Sequence, residues 1–308
     1  MKRIFAILLC VALLLAGCGG GTTETQPQTQ ETTAETTAEL TPVCDGKTLK
    51  ILAIGNSFSN NTTQYLYEIA KAEGVEEIIL GRLYIGGCPL VKHVNNSKDN
   101  LPNYTYYKNT VGAWEKTENA TLLYGLQDED WDIITMQQAS GSSGQPETYD
   151  VLPQLIEYVN QNKTNPDAKL VWHMTWAYQS DSDHAEFPIY ANNQEVMYNQ
   201  ILSAYEQKVA PTGAFSCMIP AGTAIQNARS SYLGDKLTAD GYHLNDTGKL
   251  IASYMWYASL VGKPLEQVNL KYGVGNVQLT DELRQVIVES VNNALSHPME
   301  TIPSQYTK

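Results

Sequence analysis

Five short apolar runs, each closed by a glycine-rich or polar stretch, set the strongest limit on what this chain can fold into. Leu49–Ile54 reads as a buried strand ended by Gly55-Asn56, and Thr63–Ala72 behind it carries helical spacing. Ile78–Ile85 runs into Gly86-Gly87, and Trp131–Met136 runs into Gln137-Gln138 and the loop Ala139–Pro146. Lys169–Thr175 and Ala214–Ile219 supply two further runs, and helical patterns at Val151–Asn162, Gln194–Val209 and Gly248–Val261 separate or follow them. Parallel strands need connections long enough to hold a helix, so this alternation predicts an α/β fold. The expected architecture is a three-layer α/β/α sandwich with a central parallel sheet. Such a sheet gathers its functional loops at the carboxyl ends of its strands, which brings Ser57, Gly86-Gly87 and Gln137-Gln138 to one edge. A last helix over Thr280–Ala294, with Asp281 and Glu282 at its positive end, is expected to pack as a cover.

The chain begins with Lys2 and Arg3, then an apolar run from Ile4 to Leu15 that is short for a membrane span. It ends in Leu15-Ala16-Gly17-Cys18, small residues before a cysteine in the manner of a bacterial lipobox. The expectation is a signal peptide over residues 1–17, acylation of Cys18, and an anchor in the lipid membrane that faces the extracytoplasmic side. An ordinary secretory signal or an uncleaved anchor would also leave the following domain outside. Residues 18–43 are mostly Gly, Thr, Glu, Gln, Pro and Ala, a composition that cannot bury enough apolar surface to offset the entropy of ordering the backbone. We read them as a tether and residues 44–308 as one domain. The formal charge is −13, or −15 once Lys2 and Arg3 are removed, which argues against nucleic acid as a partner. Cys44, Cys88 and Cys217 cannot all pair, and their spacing matches no zinc pattern.

Ester hydrolysis needs a hydroxyl, a base to activate it, an acid to orient the base, and donors aimed at the developing oxyanion. Ile54-Gly55-Asn56-Ser57-Phe58-Ser59 places a serine between strand and helix. Far downstream, Asp240-Gly241-Tyr242-His243 sets an acid and an imidazole three residues apart. Gly-Asn-Ser-Phe-Ser resembles the Gly-Asp-Ser-Leu opening of the SGNH (GDSL-type) hydrolases, and Asp240-x-x-His243 resembles their closing block, in the same order. The likeness runs over nearly the whole globular part and is greatest to a bacterial branch described largely as of unknown function. It implies a flavodoxin-like SGNH fold, Ser57 as nucleophile, His243 as base and Asp240 as its orienting acid. It also implies an oxyanion hole of the Ser57 N–H and a glycine N–H from Gly87, with Gly86 as alternative. The usual third block, Gly-x-Asn-Asp, is here Gln137-Gln138-Ala139-Ser140, similar to the Gln-Gly-Glu-Ser segment of carbohydrate acetylesterases in that superfamily. By that register Gln137 is the side-chain donor and Gln138 the second candidate.

Trp176 and Tyr178, at the exit of the Lys169–Thr175 run, are candidate sugar-stacking contacts, with core packing as the plainer reading. His173 alternates away from Trp172 and receives no role, while His93, His184 and His297 lack partners at metal spacing. Asp181-Ser182-Asp183-His184 reads as a solvated turn. The function expected is a serine esterase needing no cofactor, with small esters or acetylated glycans as substrates and carbohydrate O-acetylesterase as the leading activity. A glycan-binding lipoprotein on the same scaffold and a lipase or thioesterase are the alternatives.

Overall fold

The computed structural model describes residues 42–307, so the leader, Cys18 and all but the end of the expected tether lie outside the described residues. The parallel core of the sheet is β1 (Thr48–Gly55), β2 (Glu77–Tyr84), β5 (Ile133–Met136), β6 (Lys169–His173) and β7 (Cys217–Ile219). Between β2 and β5 in sequence comes a hairpin, β3 (Tyr104–Asn109) and β4 (Trp114–Ala120). The seven strands lie in the order β4-β3-β2-β1-β5-β6-β7. β1 pairs in parallel with β2 on one side and β5 on the other, so it is buried on both faces and its apolar run is nearly continuous.

The sheet is mixed rather than wholly parallel, because β3 runs antiparallel to β2 and β4 to β3. Sequence periodicity did not reveal this hairpin, whose strands read Tyr-Thr-Tyr-Tyr-Lys-Asn and Trp-Glu-Lys-Thr-Glu-Asn-Ala. Its outer strand is exposed along most of its length, and Glu115, Lys116 and Glu118 discourage a further strand from adding there. Trp114 nevertheless turns inward, with the buried Arg82 guanidinium 3.3 Å from its ring centroid.

Helices cover both faces. α1 (Ser57–Thr63), α2 (Leu66–Ala72), α7 (Ala221–Arg229), α8 (Asp246–Val261) and α9 (Asp281–Ser296) pack on one another in one layer. α3 (Leu90–Lys98), α4 (Leu122–Gln127) and α5 (Leu152–Asn162) form the other, and α6 (Gln194–Ala204) crosses from β6 to β7. The helix expected from Thr63 instead begins at Ser57, capped by Asn56, and breaks after Thr63. At that break the Thr62 and Thr63 hydroxyls bond back to carbonyls of the preceding turn, with Thr63 Oγ1 to Ser59 O at 2.7 Å. α9 occupies the position expected of the covering helix, and the Thr280 hydroxyl caps it by accepting from Leu283 N.

The chain leaves β1 toward β2 and leaves β5 toward β6, in opposite directions across the sheet. That reversal opens a crevice beyond the carboxyl ends of β1 and β5, the place where α/β sheets bind ligands.

Candidate active site

Ser57 stands at the first position of α1, at the mouth of this crevice. Asn56 precedes it as the helix cap, its Oδ1 accepting from Phe58 N at 2.9 Å. At the first helical position the Ser57 N–H has no acceptor within the helix. His243 Nε2 lies 2.8 Å from Ser57 Oγ, and His243 Nδ1 lies 2.7 Å from Asp240 Oδ2. A carboxylate only accepts, so Nδ1 carries the imidazole proton and Nε2 is free to accept from the serine hydroxyl. Asp240 Oδ1 also accepts from the backbone N–H groups of His243 at 2.7 Å and Tyr242 at 3.2 Å. Partial burial acts to raise the Asp240 pKa, but the hydrogen bonds from His243 and these two N–H groups outweigh it and hold the carboxyl below its ordinary value.

The turn carrying Asp240 and His243 is braced on several sides. Gly241 sits at φ +88, where L side chains are strained, and its carbonyl accepts from Gln179 N at 2.8 Å. Ala239 N donates to His243 O, and Leu244 N donates to Asn61 Oδ1 on α1, both at 2.8 Å. Trp176 Nε1 donates to Tyr242 O at 2.8 Å while its ring stacks on Phe58 at 4.1 Å. Trp176 thus links, from the buried side, the residue after Ser57 to the residue before His243. It is fully buried, as is Tyr178, whose hydroxyl pairs with Ser140 Oγ at 2.9 Å. Neither lines the cavity, so the sugar-stacking wall expected of them is corrected: both rings are part of the packed support behind the site.

The side-chain oxyanion donor expected of Gln137 is also absent from the cavity. Gln137 is 2% exposed, and its Nε2 donates to Asn56 Oδ1 at 2.8 Å. The atom identities follow from a fixed point. The Phe58 N–H must find an oxygen on Asn56, so the group of Gln137 facing that same oxygen is its NH2, and Gln137 Oε1 faces His173 Nδ1 at 2.9 Å. His173 therefore donates from Nδ1, and its burial pushes its pKa down to about 3, which keeps it neutral. Asn56 Nδ2 completes the chain by donating to Cys88 O at 3.3 Å, next to Gly87. Gln138 is likewise committed: Nε2 donates to Thr148 Oγ1 at 2.9 Å, and Oε1 accepts from Leu90 N and Ala139 N. The two glutamines fasten loops together beneath the site.

The backbone groups remain free. Among the described residues neither the Gly86 nor the Gly87 N–H has a hydrogen-bond acceptor, and Gly87 adopts φ +57. Ser57, Gly86, Gly87 and His243 open onto one cavity of about 360 Å³. Five further residues of its wall were given no role from sequence: Tyr84, Ser142, His184, Glu186 and Tyr242. Tyr84 is the last residue of β2 and lies opposite Gly55 in the sheet, so the strand-end rule could have found it. His184 belongs to the segment read as a solvated turn, yet its ring centroid lies 4.5 Å from that of Tyr242 and also 4.5 Å from that of Tyr178. A serine, histidine and aspartate in this hydrogen-bonded series, beside unpaired backbone donors, have the geometry required for nucleophilic attack on a carbonyl.

Fold and site together define an α/β/α protein with a Ser-His-Asp relay at the switch point of a mostly parallel sheet. A family profile described as a domain of unknown function (DUF4886) matches residues 50–285, and the chain belongs to that family. It is similar to the crystal structure of a DUF4886 family protein from Bacteroides uniformis, with 35% identity and a TM-score of 0.78, over 85% of this chain and 100% of that one. More distant similarity reaches a protein from Slackia heliotrinireducens provisionally described as an SGNH hydrolase, at 20% identity and TM-score 0.47, over 69% of this chain and 99% of that one. An acetylxylan esterase from Geobacillus stearothermophilus matches at 10% identity and TM-score 0.42, over 70% of this chain and 94% of that one. No curated protein matches the sequence.

Proposed function

We propose that the chain is a serine esterase exported across the cytoplasmic membrane and anchored through Cys18, and that it removes O-acetyl groups from carbohydrates. The observation carrying this reading is the unbroken series Ser57 Oγ, His243 Nε2, His243 Nδ1 and Asp240 Oδ2, at 2.8 and 2.7 Å, opening onto a cavity with unpaired backbone N–H groups. Ser57 Oγ attacks the ester carbonyl as its proton passes to His243 Nε2, and the N–H groups of Ser57 and Gly87, with Gly86 as alternative, stabilise the oxyanion. His243 then gives that proton to the departing alcohol, leaving acyl-Ser57. Water, deprotonated by the same nitrogen, attacks the acyl group, and acetate leaves as the serine oxygen recovers its proton.

Support for acetyl and sugar comes from a small cavity with mixed polar and aromatic walls and from the acetylesterase-like Gln137-Gln138-Ala139-Ser140 segment. The test is acetate release from acetylated polysaccharide and from a chromogenic short-chain acetate by the purified protein. Ser57→Ala and His243→Ala should both abolish it, and equal background rates in all three would sink the reading. The engaged amide of Gln137 favours one alternative, a glycan-binding protein without turnover. Glycan binding by the parent with no product formed would establish that instead.

A further inference from the structure

Among the described residues, no lysine or arginine lines the cavity beside Ser57, and Glu186 is the one carboxylate in its wall. Glu186 lies where a side chain of Gly141, on the facing loop, would be. A Cβ built on Gly141 would come within 1.6 Å of Glu186 Oε2 and 2.3 Å of its Cδ. Glu186 is an exposed residue, and among the described residues no protein donor or cation engages its carboxylate, which leaves it open to solvent and to a ligand in the cavity. Its backbone N–H donates to His184 Nδ1 at 3.2 Å. That bond makes Nδ1 an acceptor, which puts the His184 proton on Nε2 and leaves a second, donating group on the same wall.

The position of this pair relative to the chemistry follows from ring contacts. The alcohol that His243 protonates must lie against its imidazole. From there Tyr242 packs at 4.3 Å from His243, and His184 packs edge-on at 4.5 Å from Tyr242. An acceptor, a donor and an aromatic ring therefore line up on the alcohol side of the ester. A sugar hydroxyl, which both donates and accepts, satisfies such a set, with ring C–H groups against the tyrosine. A carboxylate on the sugar would face an unpaired Glu186 in a chain of formal charge −13.

We propose that Glu186 and His184 form a hydroxyl-reading subsite that selects an uncharged sugar as the alcohol portion and rejects an anionic one. The proposal deepens the esterase reading and rests on it for where the ester lies. Gly141 belongs to the same device, because only a residue without Cβ lets the carboxylate occupy that wall.

The test is binding to the full-length Ser57→Ala protein, titrated with O-acetylated methyl glucoside and O-acetylated methyl glucuronate, which differ at one carbon. The uncharged sugar should bind at least about tenfold more tightly, the scale of one hydrogen bond to a charged group. Adding Glu186→Gln should bring that ratio to within about threefold of unity. Gly141→Ala, whose methyl displaces the carboxylate without altering net charge, should reduce the ratio in the same direction. Equal binding of the two sugars, tighter binding of the glucuronate, binding of neither, or a ratio that survives both variants would overturn the proposal. Binding needs no turnover, so a parent that hydrolyses no ester defeats the esterase reading while this result still stands or falls by itself.

Discussion

Replacing Gln137 with methionine separates the two roles a side-chain amide can have at this place. The substitution keeps volume and removes both polar ends, so it deletes the bond to Asn56 Oδ1 at 2.8 Å and the bond from His173 at 2.9 Å. Each is worth about 1 kcal/mol net, and the His173 Nδ1–H left buried without an acceptor adds about 1–3 kcal/mol. Asn56 Oδ1 keeps its bond from Phe58 N, so no further orphan forms there. The expected cost is about 3–5 kcal/mol, which for a domain of this size lowers Tm by roughly 6–20 °C. Urea denaturation of the parent, Gln137→Met, His173→Phe and the double variant would measure it. The double variant should be about 1–2 kcal/mol more stable than the sum of single losses, because removing His173 removes the orphan. An oxyanion donor behaves differently, since its loss lowers kcat by about 10²–10³. Unchanged stability in Gln137→Met together with such a fall in kcat would refute the structural role assigned here.

Three further outcomes follow from individual residues. Asp240→Asn should lower kcat for ester hydrolysis by about 10³ or more: the N–H groups of Tyr242 and His243 claim the amide oxygen, its NH2 then faces Nδ1, and the imidazole proton is forced to Nε2. Asp246 is brought down to about 2, since burial acts to raise it but bonds from Asn276, Tyr65 and Lys249 outweigh that. A depressed carboxyl stabilises the fold above its ordinary 3.8 and loses that contribution as pH falls toward 2, so Asp246→Asn should be less stable at pH 6, with the difference closing between about 4 and 2 in denaturation series. Cys88 is 1% exposed and burial pushes its thiol up to about 12, so iodoacetamide at pH 8 should leave it unmodified in the folded protein and alkylate it after unfolding, as read by mass spectrometry.

The central sheet was legible because β1, β2, β5 and β6 are buried runs whose composition admits little else. The hairpin was not, since Tyr106 earns its burial from Asp128, which accepts from its hydroxyl at 2.7 Å, rather than from an apolar pattern. Ser57, Asp240 and His243 could be read together because each sits beside a local signal, a strand end or a tight turn. Tyr84 stands at a strand end where the same rule could have found it, whereas His184 and Glu186 share only the cavity and nothing in their own segments marks that. Trp176 and Tyr178 were placed near the right edge of the sheet, but sequence cannot tell which face of a loop reaches solvent. Here both rings turn inward, one to Phe58 and one to Ser140.

The glutamine of the third block and the asparagine of the first depend on one another. Asn56 spends one oxygen on two donors, the Phe58 N–H that starts α1 and the Gln137 amide that ends β5, and its own NH2 reaches Cys88 O beside the glycine pair. An aspartate at the same place could accept both bonds but would have no N–H for Cys88 O, and the glycine loop would keep only the bond from Ile85 N to Gly55 O as its tie to the serine loop. A glutamine spans the distance from β5 to Asn56 and still meets His173 behind it, which a shorter amide could not do at both ends. The consequence is a site whose side-chain amides hold the loops while backbone N–H groups of Ser57 and the Gly86-Gly87 turn are left to meet charge. On the subsite proposed above, selectivity falls to the far wall, where His184, Glu186 and Tyr242 stand clear of that network.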